Sequence, residues 1–283
     1  MSNKNYLSIY AKSFNWAGFF LPNKTYQKCS SLYDFCRTVD NIADHDGELD
    51  IKKKNLSAFK NDFINKNYNN IIIKNMWNLM NNHLISIKIV EDLFNGVESD
   101  LNKKVQLDNK KDLIIYSYRV AGTVGLMMAK ILNVKDQNSM KAAVDLGIAM
   151  QLTNIARDVV EDSNINRFYI KNDYETICNT LALADLFYKS SFTAIKQIPF
   201  KFRFAILVAR RVYKKIGDKI LRTGNIEAYN KAGKIYVNNI EKIFQTIFSI
   251  FDLITLILTK QKSSYMNNEH FLISEEINLD ERI

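Results

Sequence analysis

The stretch YDFCRTVDNIAD, residues 33–44, decides the fold class of this chain. At about 100° per residue, the spacing of an α-helix, it presents two separate faces. The apolar face consists of Leu32, Phe35, Val39, Ile42 and Ala43. The second face carries Tyr33, Arg37, Asp40 and Asp44, which fall within roughly 60° of one another. This pattern predicts a helix that packs through its apolar face and presents an arginine and two carboxylates to an internal site.

A second stretch, QLTNIARDVVED at residues 151–162, has the same design. Its polar side chains Gln151, Asn154, Asp158 and Asp162 cluster within about 80° on a helix. Gly147 lies on the same side one turn earlier, where the missing side chain would leave room for a ligand. One Asp-x-x-x-Asp pair is typical of a solvated helix face, but two pairs flanked by arginines and amides indicate a shared site.

Carboxylates four residues apart on a helix stand side by side and can share hard divalent cations. Oxygen-only ligands on these two faces favour Mg²⁺ over zinc. Without a metal, two facing aspartate pairs would repel each other in a partly dry cavity. The pattern therefore predicts a diphosphate substrate held through Mg²⁺, with Arg37 and Arg157 as charge partners.

The third informative stretch is YSYRVAGTVGLMM, residues 116–128. On a helix its members Tyr116, Val120, Thr123 and Met127 share one face, an apolar wall with a single phenol. Gly122 and Gly125 lower helix stability, so they suggest close approach by another helix or a bend.

The rest of the chain also has helical spacing, and only 2 prolines and 9 glycines interrupt it. We predict helices over residues 24–45, 50–66, 84–104, 111–132, 137–162, 174–197, 200–223 and 226–259. No alternating run predicts a strand, so the economical architecture is one all-α domain over residues 1–262. Residues 263–283 are polar and acidic, and we expect this tail to fray.

The apolar segment 243–259 allows two interpretations. It is too short for a membrane span and carries Asp252 in its middle. A buried terminal helix is the favoured expectation, and contact with one leaflet of a bilayer is the alternative.

The formal net charge of +9 suits an anionic membrane surface or phosphorylated substrates. Nucleic acid is not an expected partner, because no aromatic-plus-basic motif occurs. Cys29, Cys36 and Cys178 form no Cys-x-x-Cys pair, so we expect a reducing, cytoplasmic compartment. The apolar stretch 16–21 ends at Pro22 and does not resemble a signal peptide.

The three stretches, together with Lys12-Ser13-Phe14, resemble the motifs of the squalene/phytoene synthase family, most of all its bacterial phytoene synthases. The resemblance implies an isoprenoid synthase fold, an all-α bundle around a central cavity. It also implies a prenyltransferase of carotenoid biosynthesis that joins two geranylgeranyl diphosphates head to head to phytoene, through a cyclopropylcarbinyl diphosphate. The implied cofactor is Mg²⁺, with Mn²⁺ as an alternative, and no NADPH is expected.

The resemblance also assigns roles to single residues. The metal-binding positions correspond to Asp40, Asp44, Asn154, Asp158 and Asp162. Those that contact substrate correspond to Ser13, Phe14, Tyr33, Arg37, Val120, Gln151, Arg157 and Arg167, and Tyr116 matches the tyrosine beside the rearranging cation. The residues expected to take part in catalysis are Tyr33, Arg37, Asp40, Tyr116 and Asp158.

Three departures from the family pattern stand out. Asn41 replaces a second aspartate, but it points roughly 100° away from Asp40. In the stretch Asn166–Lys171, Asn166 replaces a glycine and can adopt a left-handed turn, whereas Lys171 replaces a proline, which would loosen this loop. Gly224-Asn225 occupies the place where relatives carry a tyrosine that contacts diphosphate, and Tyr213 or Tyr229 is a candidate replacement.

Two alternatives to phytoene synthesis stay open. A squalene or dehydrosqualene synthase would use farnesyl diphosphate, and Met127, Met128 and Met150 are candidates for setting the cavity depth. A catalytically silent scaffold relative would be expected to lose aspartates, and all four are present. Because the product is insoluble in water, we also expect peripheral contact with lipid on the inner membrane face.

Overall fold

The protein is an α-helical bundle in a computed structural model that describes residues 12–45, 47–259 and 268–283. The helices are α1 (Lys12–Gly18), α2 (Asn23–Asp44), α3 (Leu49–Ile64), α4 (Ile71–His83), α5 (Ile87–Ser99), α6 (Lys110–Ser117), α7 (Thr123–Ile131), α8 (Gln137–Asn164), α9 (Tyr174–Ala194), α10 (Phe200–Leu221), α11 (Ile226–Ala232), α12 (Asn239–Leu258) and α13 (Phe271–Ser274). A π-helical segment, Tyr118–Gly122, joins α6 to α7, and short 3₁₀ turns cover Ile195–Gln197, Asn268–His270 and Leu279–Glu281.

The all-α fold class is confirmed, but the helices differ from the prediction in four places. Helices α1 and α4 were not predicted, and the predicted helix 111–132 is interrupted by the π-helical segment. The predicted helix 226–259 is two helices, because Gly233 adopts a positive φ of 60° between them.

Local capping explains several helix starts. Asp136 accepts a hydrogen bond from the Ser139 amide at the start of α8, and Asp173 caps α9 in the same way. Asn238 and Glu241 form a complete capping box at the start of α12. The start of the aspartate-bearing helix α8 is therefore fixed independently of any ligand.

A cluster of phenylalanines holds the first aspartate-bearing helix in place. Phe35 of α2 has no exposed surface and lies 5.3 Å from Phe63 and 6.0 Å from Phe94, measured between ring centroids. Burial of such rings contributes about 1.5–3 kcal/mol each, so the apolar face of α2 anchors the opposite face at the site.

Helix α8 crosses the π-helical segment and α7 so closely that their backbones are in contact. A Cβ atom on Gly147 would lie 2.2 Å from the carbonyl oxygen of Ala121, and one on Gly125 would lie 2.2 Å from that of Ala143. The expectation of a close helix approach at Gly125 is therefore confirmed. The expectation that Gly147 leaves room for a ligand is wrong, because the backbone of the neighbouring segment fills that space.

Two short strands form the only sheet among the described residues and position one arginine. Strands β1 (Val105–Gln106) and β2 (Arg167–Phe168) pair in parallel, with Val105 opposite Arg167. Asn166 precedes β2 with a φ of 61°, a left-handed conformation that asparagine can adopt in place of glycine. The turn and the strand pair together place Arg167 between α2 and α8.

Residues 268–283, near the C-terminus, pack on the helical body. Ile273, Ile277 and Leu279 are buried, and the His270 ring nitrogen Nδ1 lies 2.7 Å from a carboxylate oxygen of buried Asp145. Arg282 donates to both oxygens of Asp92, at 2.9 and 3.2 Å. The expectation of a fraying tail is wrong for residues 268–283, whereas the division into a domain over 1–262 and a tail stays a prediction.

Helix α12 also differs from the favoured expectation. Only Lys242, Ser249 and Leu256 of this helix are buried. The favoured prediction of a buried terminal helix over 243–259 is therefore wrong, because only a narrow and mostly polar strip of the helix, with Leu256 as its buried apolar residue, faces the protein.

Candidate active site

The two aspartate pairs lie on α2 and α8 and are connected through Arg167. Its Nη1 donates to Oδ1 of Asp44 at 2.9 Å. The charge of Arg167 also acts on Asp40 and on Asp162 of the second pair. Arg37 reaches Asp44 from within α2, with 3.9 Å between Nη1 and Oδ2. The predicted grouping of both pairs around one site is thus present in the fold.

Two cationic side chains contact Asp158. Arg157 contacts it in a bidentate manner, with Nε to Oδ1 at 2.7 Å and Nη2 to Oδ2 at 2.5 Å. Lys234, in the connection between α11 and α12, lies 3.5 Å from Oδ1 of Asp158 and 2.5 Å from Glu161. The Lys234 side chain is 49% exposed, so it can move away from these carboxylates at low cost.

Burial and crowding of like charges make this cluster electrostatically strained. Burial raises the pKa of Asp40 to about 7, and the neighbouring Asp44 carboxylate adds to the increase. Burial also raises the pKa of Asp162 to about 7, with Asp158 as the largest charge contribution. A divalent cation, bound alone or together with a diphosphate, would add positive charge and relieve this repulsion.

Several observations fit a divalent cation at this cluster. The Asn154 side-chain oxygen Oδ1 is buried and has no hydrogen-bond partner among the described residues. A buried amide oxygen without a donor matches the hard oxygen ligands that Mg²⁺ prefers. In the described ranges, no three His, Cys, Asp or Glu side chains converge as a ready-made metal cage. In proteins, Mg²⁺ usually completes its coordination shell with water and substrate oxygens.

Tyr116 belongs to a buried polar trio. Its hydroxyl donates to Oδ2 of Asp100 at 2.8 Å and lies 2.8 Å from the hydroxyl of Tyr169. Tyr169 donates to the other Asp100 oxygen at 2.7 Å, and the two rings stack at a centroid distance of 4.6 Å. Asp100 contributes to the electrostatics of both Asp40 and Asp162. The phenol of Tyr116 is therefore fixed beside the aspartate cluster.

The N-terminal substrate motif reaches the same region through Tyr213. The ring of Phe14 lies 4.9 Å from that of Tyr213 in α10. Burial raises the pKa of Tyr213 to about 12, although the adjacent Arg157 lowers it. The charge state of Tyr213 also affects Tyr33 of α2. Of the two candidate replacement tyrosines, Tyr213 thus lies beside the predicted substrate residues.

Tyr229 has a structural contact instead. Its hydroxyl donates to the carbonyl oxygens of Ala156 and Arg157, at 3.0 and 2.8 Å. This bond ties α11 to α8 next to Asp158.

The remaining predicted site residues lie at the edges of the cluster. Gln151 accepts a hydrogen bond from Asn154 at 3.4 Å. Val120, in the π-helical segment, packs close to Gly96 of α5. Ser13 lies half-buried on α1, one residue before Phe14. The structure does not test the roles of these residues, which stay predictions.

A model of the squalene/phytoene synthase family matches residues 8–174. The chain belongs to the squalene/phytoene synthase family. It is 36% identical to the 15-cis-phytoene synthase of Paracoccus sp. over 168 residues, which cover 51% of this chain and 55% of that protein. It is 28% identical to the 15-cis-phytoene synthase of Pantoea ananas over 251 residues, or 77% of this chain and 81% of that protein. The first match thus spans little more than half the length of the curated relative, and the second spans most of it.

Solved structures share the fold of this squalene/phytoene synthase family member. A crystal structure of a dehydrosqualene synthase aligns with a TM-score of 0.70 at 24% identity, covering 88% of this chain and 94% of that one. A squalene synthase from Alicyclobacillus acidocaldarius aligns with a TM-score of 0.68 at 17% identity, covering 78% and 92%. The all-α isoprenoid synthase fold is therefore confirmed.

Four residues of this family member were missed or left open by the sequence analysis. They are Asp100, Tyr169, Tyr213 and Lys234. Asp100 is a single carboxylate at the end of α5, and no helical partner at three or four residues marks it. Tyr169 lies two residues after Arg167, but its bond to Asp100 joins positions 69 residues apart. Such long-range pairs leave no local pattern.

Proposed function

We propose that this member of the squalene/phytoene synthase family condenses two geranylgeranyl diphosphates head to head to phytoene, as a prenyltransferase of carotenoid biosynthesis. The observation that carries the proposal is the meeting of two aspartate pairs across Arg167, in a chain whose curated relatives are named phytoene synthase. Two diphosphates and one proton leave overall, so no reductant is required. The intermediate is a cyclopropylcarbinyl diphosphate.

We infer that Mg²⁺, or Mn²⁺ in its place, is the cofactor. Asp40, Asp44, Asn154, Asp158 and Asp162 would hold it. When bound, the metal neutralises charge that develops on the leaving diphosphate. The raised pKa values of Asp40 and Asp162 and the unpartnered Asn154 oxygen support this assignment.

The cationic side chains of the chain bind and orient the diphosphates in this proposal. Arg37, Arg157 and Arg167 now contact the aspartates of the cluster and can redirect their guanidinium groups to phosphate oxygens. Gln151 and Tyr33 supply further polar contacts at the same face of α2 and α8. These residues hold the leaving group away from the reacting carbon once the bond breaks.

The aromatic side chains protect the carbocation from water. The Phe14 and Tyr213 rings offer their negative faces to a cation. The bond from Tyr116 to Asp100 keeps this phenol oriented while the skeleton rearranges. Val120 and its neighbours on the π-helical segment form an apolar wall that excludes water.

Product identification tests the proposed reaction. Purified protein is incubated with Mg²⁺ and geranylgeranyl or farnesyl diphosphate, each with and without NADPH, and the hydrocarbon is identified by mass spectrometry. Phytoene from the longer substrate, independent of NADPH, is the expected result. A thirty-carbon hydrocarbon from the shorter substrate would instead identify a squalene or dehydrosqualene synthase. Absence of product from both would favour a catalytically silent relative.

Lys234 is expected to contribute to diphosphate binding. Lys234→Gln should raise KM for the prenyl diphosphate and the inhibition constant of inorganic pyrophosphate about tenfold, since it removes one charge-assisted contact. The kcat should change little, because the arginines and aspartates remain. Steady-state kinetics measures both constants. The control is Lys231→Gln, an exposed lysine of α11 nearby. An unchanged KM in Lys234→Gln would exclude the role.

We also propose that the protein acts in the cytoplasm as a peripheral protein on the inner membrane face. Its net charge of +9 and the insolubility of the product support this location. Within the described ranges, no helix is long and apolar enough to cross a membrane. Flotation with anionic vesicles should carry the protein upward at low salt, less so at high salt. Protein that stays at the bottom at low salt would contradict the proposal.

A further inference from the structure

Helix α12 has its apolar face turned outward. Ten isoleucine, phenylalanine and leucine side chains of this helix are at least 45% exposed, among them Phe244, Phe251 and Leu258. At about 100° per residue, these ten side chains cover roughly half of the helix circumference. A surface helix of a soluble protein normally turns such a face to the core.

The face that contacts the protein is mostly polar, with Leu253 and Leu256 as its apolar members. Thr246 accepts a hydrogen bond from the Trp16 indole at 3.0 Å. Asp252 receives two bonds from Arg211, with Nη2 to Oδ1 at 2.6 Å. Ser249 is completely buried. These bonds fix the rotation of the helix, so its orientation does not result from a lack of contacts.

The apolar face is accompanied by further exposed rings and by positive charge. Phe200, at the start of α10, is 61% exposed. Lys196, four residues earlier, donates to the carbonyl oxygen of Thr259 at the end of α12. Residues 196–242, which include α10 packed against α12, contain 12 lysines and arginines and 3 acidic residues. Of these basic residues, Arg210 and Lys242 are buried and Lys234 lies at the aspartate cluster. A second copy of the chain would bring two such basic segments together, whereas an anionic lipid surface complements them.

We propose that α12 lies in the plane of an anionic bilayer and inserts its outward face, centred on Phe244 and Phe251, at the boundary between headgroups and acyl chains. The proposal rests on the proposed membrane location and names the surface and the lipid class that mediate it. An in-plane helix with a wide apolar face matches this mode of binding. Through the bond between Trp16 and Thr246, the same helix contacts α1, which carries the substrate residues Ser13 and Phe14.

The test compares the wild-type chain with F244Q/F251Q and with the control I64Q/I71Q, in which two equally exposed aliphatic residues of α3 and α4 are changed. Flotation uses vesicles of phosphatidylglycerol and phosphatidylcholine. The partition coefficient of F244Q/F251Q should fall about a hundredfold, because each ring loses its transfer free energy. The control should float like the wild type. All three should melt at similar temperatures and turn over detergent-solubilised substrate equally.

Two results would overturn the proposal. One is flotation of F244Q/F251Q at the wild-type level. The other combines two observations. Sedimentation without vesicles would show that the wild type is a dimer and that these substitutions dissociate it, and the wild type would not float with vesicles. Because flotation needs no substrate, a protein that floats but makes no phytoene contradicts the proposed reaction and leaves the membrane surface intact.

Discussion

Replacing Asp40 by Asn is expected to lower turnover about a thousandfold, because stabilisation of the leaving diphosphate through this carboxylate amounts to several kcal/mol. The same substitution should raise the Tm of the metal-free protein. Asp40 is destabilised as an anion by burial and by Asp44, which together raise its pKa to about 7. The neutral amide of asparagine avoids this repulsion. Activity and stability should therefore change in opposite directions.

The pH dependence of this Tm difference follows from the pKa values. The unfolded carboxyl ionises near 3.8, whereas the folded one keeps its proton up to about 7. Between these values the folded state binds more protons, so each rise in pH favours the unfolded wild type. The advantage of Asp40→Asn should grow from about pH 4 to about pH 7 and stay constant above that. At pH 8 we expect a gain of about 5 °C.

Melting curves in EDTA between pH 4 and 8, together with turnover at saturating Mg²⁺, measure both effects. The matched control is Asp218→Asn, an exposed carboxylate of α10 that should change neither quantity by much. Turnover within a factor of a few of the wild type would exclude the metal mechanism. A Tm at or below that of the wild type at pH 8 would show that the carboxylate cluster is not strained.

Gly147→Ala is expected to cost about 3 kcal/mol of folding free energy. The new Cβ would lie 2.2 Å from the Ala121 carbonyl oxygen and 2.7 Å from its carbon, so two backbone segments would have to separate. The Tm should fall by about 6–10 °C. Turnover should fall as well, because Asn154 and Asp158 lie on the displaced helix.

Thermal unfolding in EDTA measures this cost without a contribution from bound metal. Gly217→Ala is a matched control in the helix α10, where the new Cβ would lie 3.2 Å from the mobile end of Leu181. This control should melt at or slightly above the wild-type temperature, since alanine is the better helix former. Equal melting temperatures of the two variants would mean that α8 can move away from the π-helical segment at little cost.

Most of the fold and the two aspartate-bearing helix faces could be predicted from the sequence because both depend on helical periodicity. The faces of residues 33–44 and 151–162 follow from spacing alone, and the structure brings them together. The left-handed turn at Asn166 depends instead on residue type, since asparagine can adopt this conformation in place of glycine. The break at Gly233 was missed because apolar spacing continues on both sides of it.

The rest of the site depends on tertiary contacts that spacing does not encode. Asp100 is identified only by its bonds to Tyr116 and Tyr169. The outward face of α12 could not be predicted either, because an apolar helix gives the same sequence pattern whether it faces the core or a membrane. At Gly147 the sequence pattern was ambiguous in another way, since the absence of a side chain allows close backbone contact as readily as it leaves room for a ligand.

The docking of residues 268–283 also has a consequence for the timing of folding during synthesis. The partners of this segment, Asp92 on α5, Asp145 on α8 and Lys130 on α7, precede it by more than 120 residues. At about 5–20 residues per second, the ribosome needs on the order of ten seconds to cover that distance. During this interval the surface that receives Ile273 and Leu279 stays uncovered. The nascent chain therefore keeps an uncovered apolar surface while its later helices are still being made, and exposed surface of this kind is bound by general chaperones.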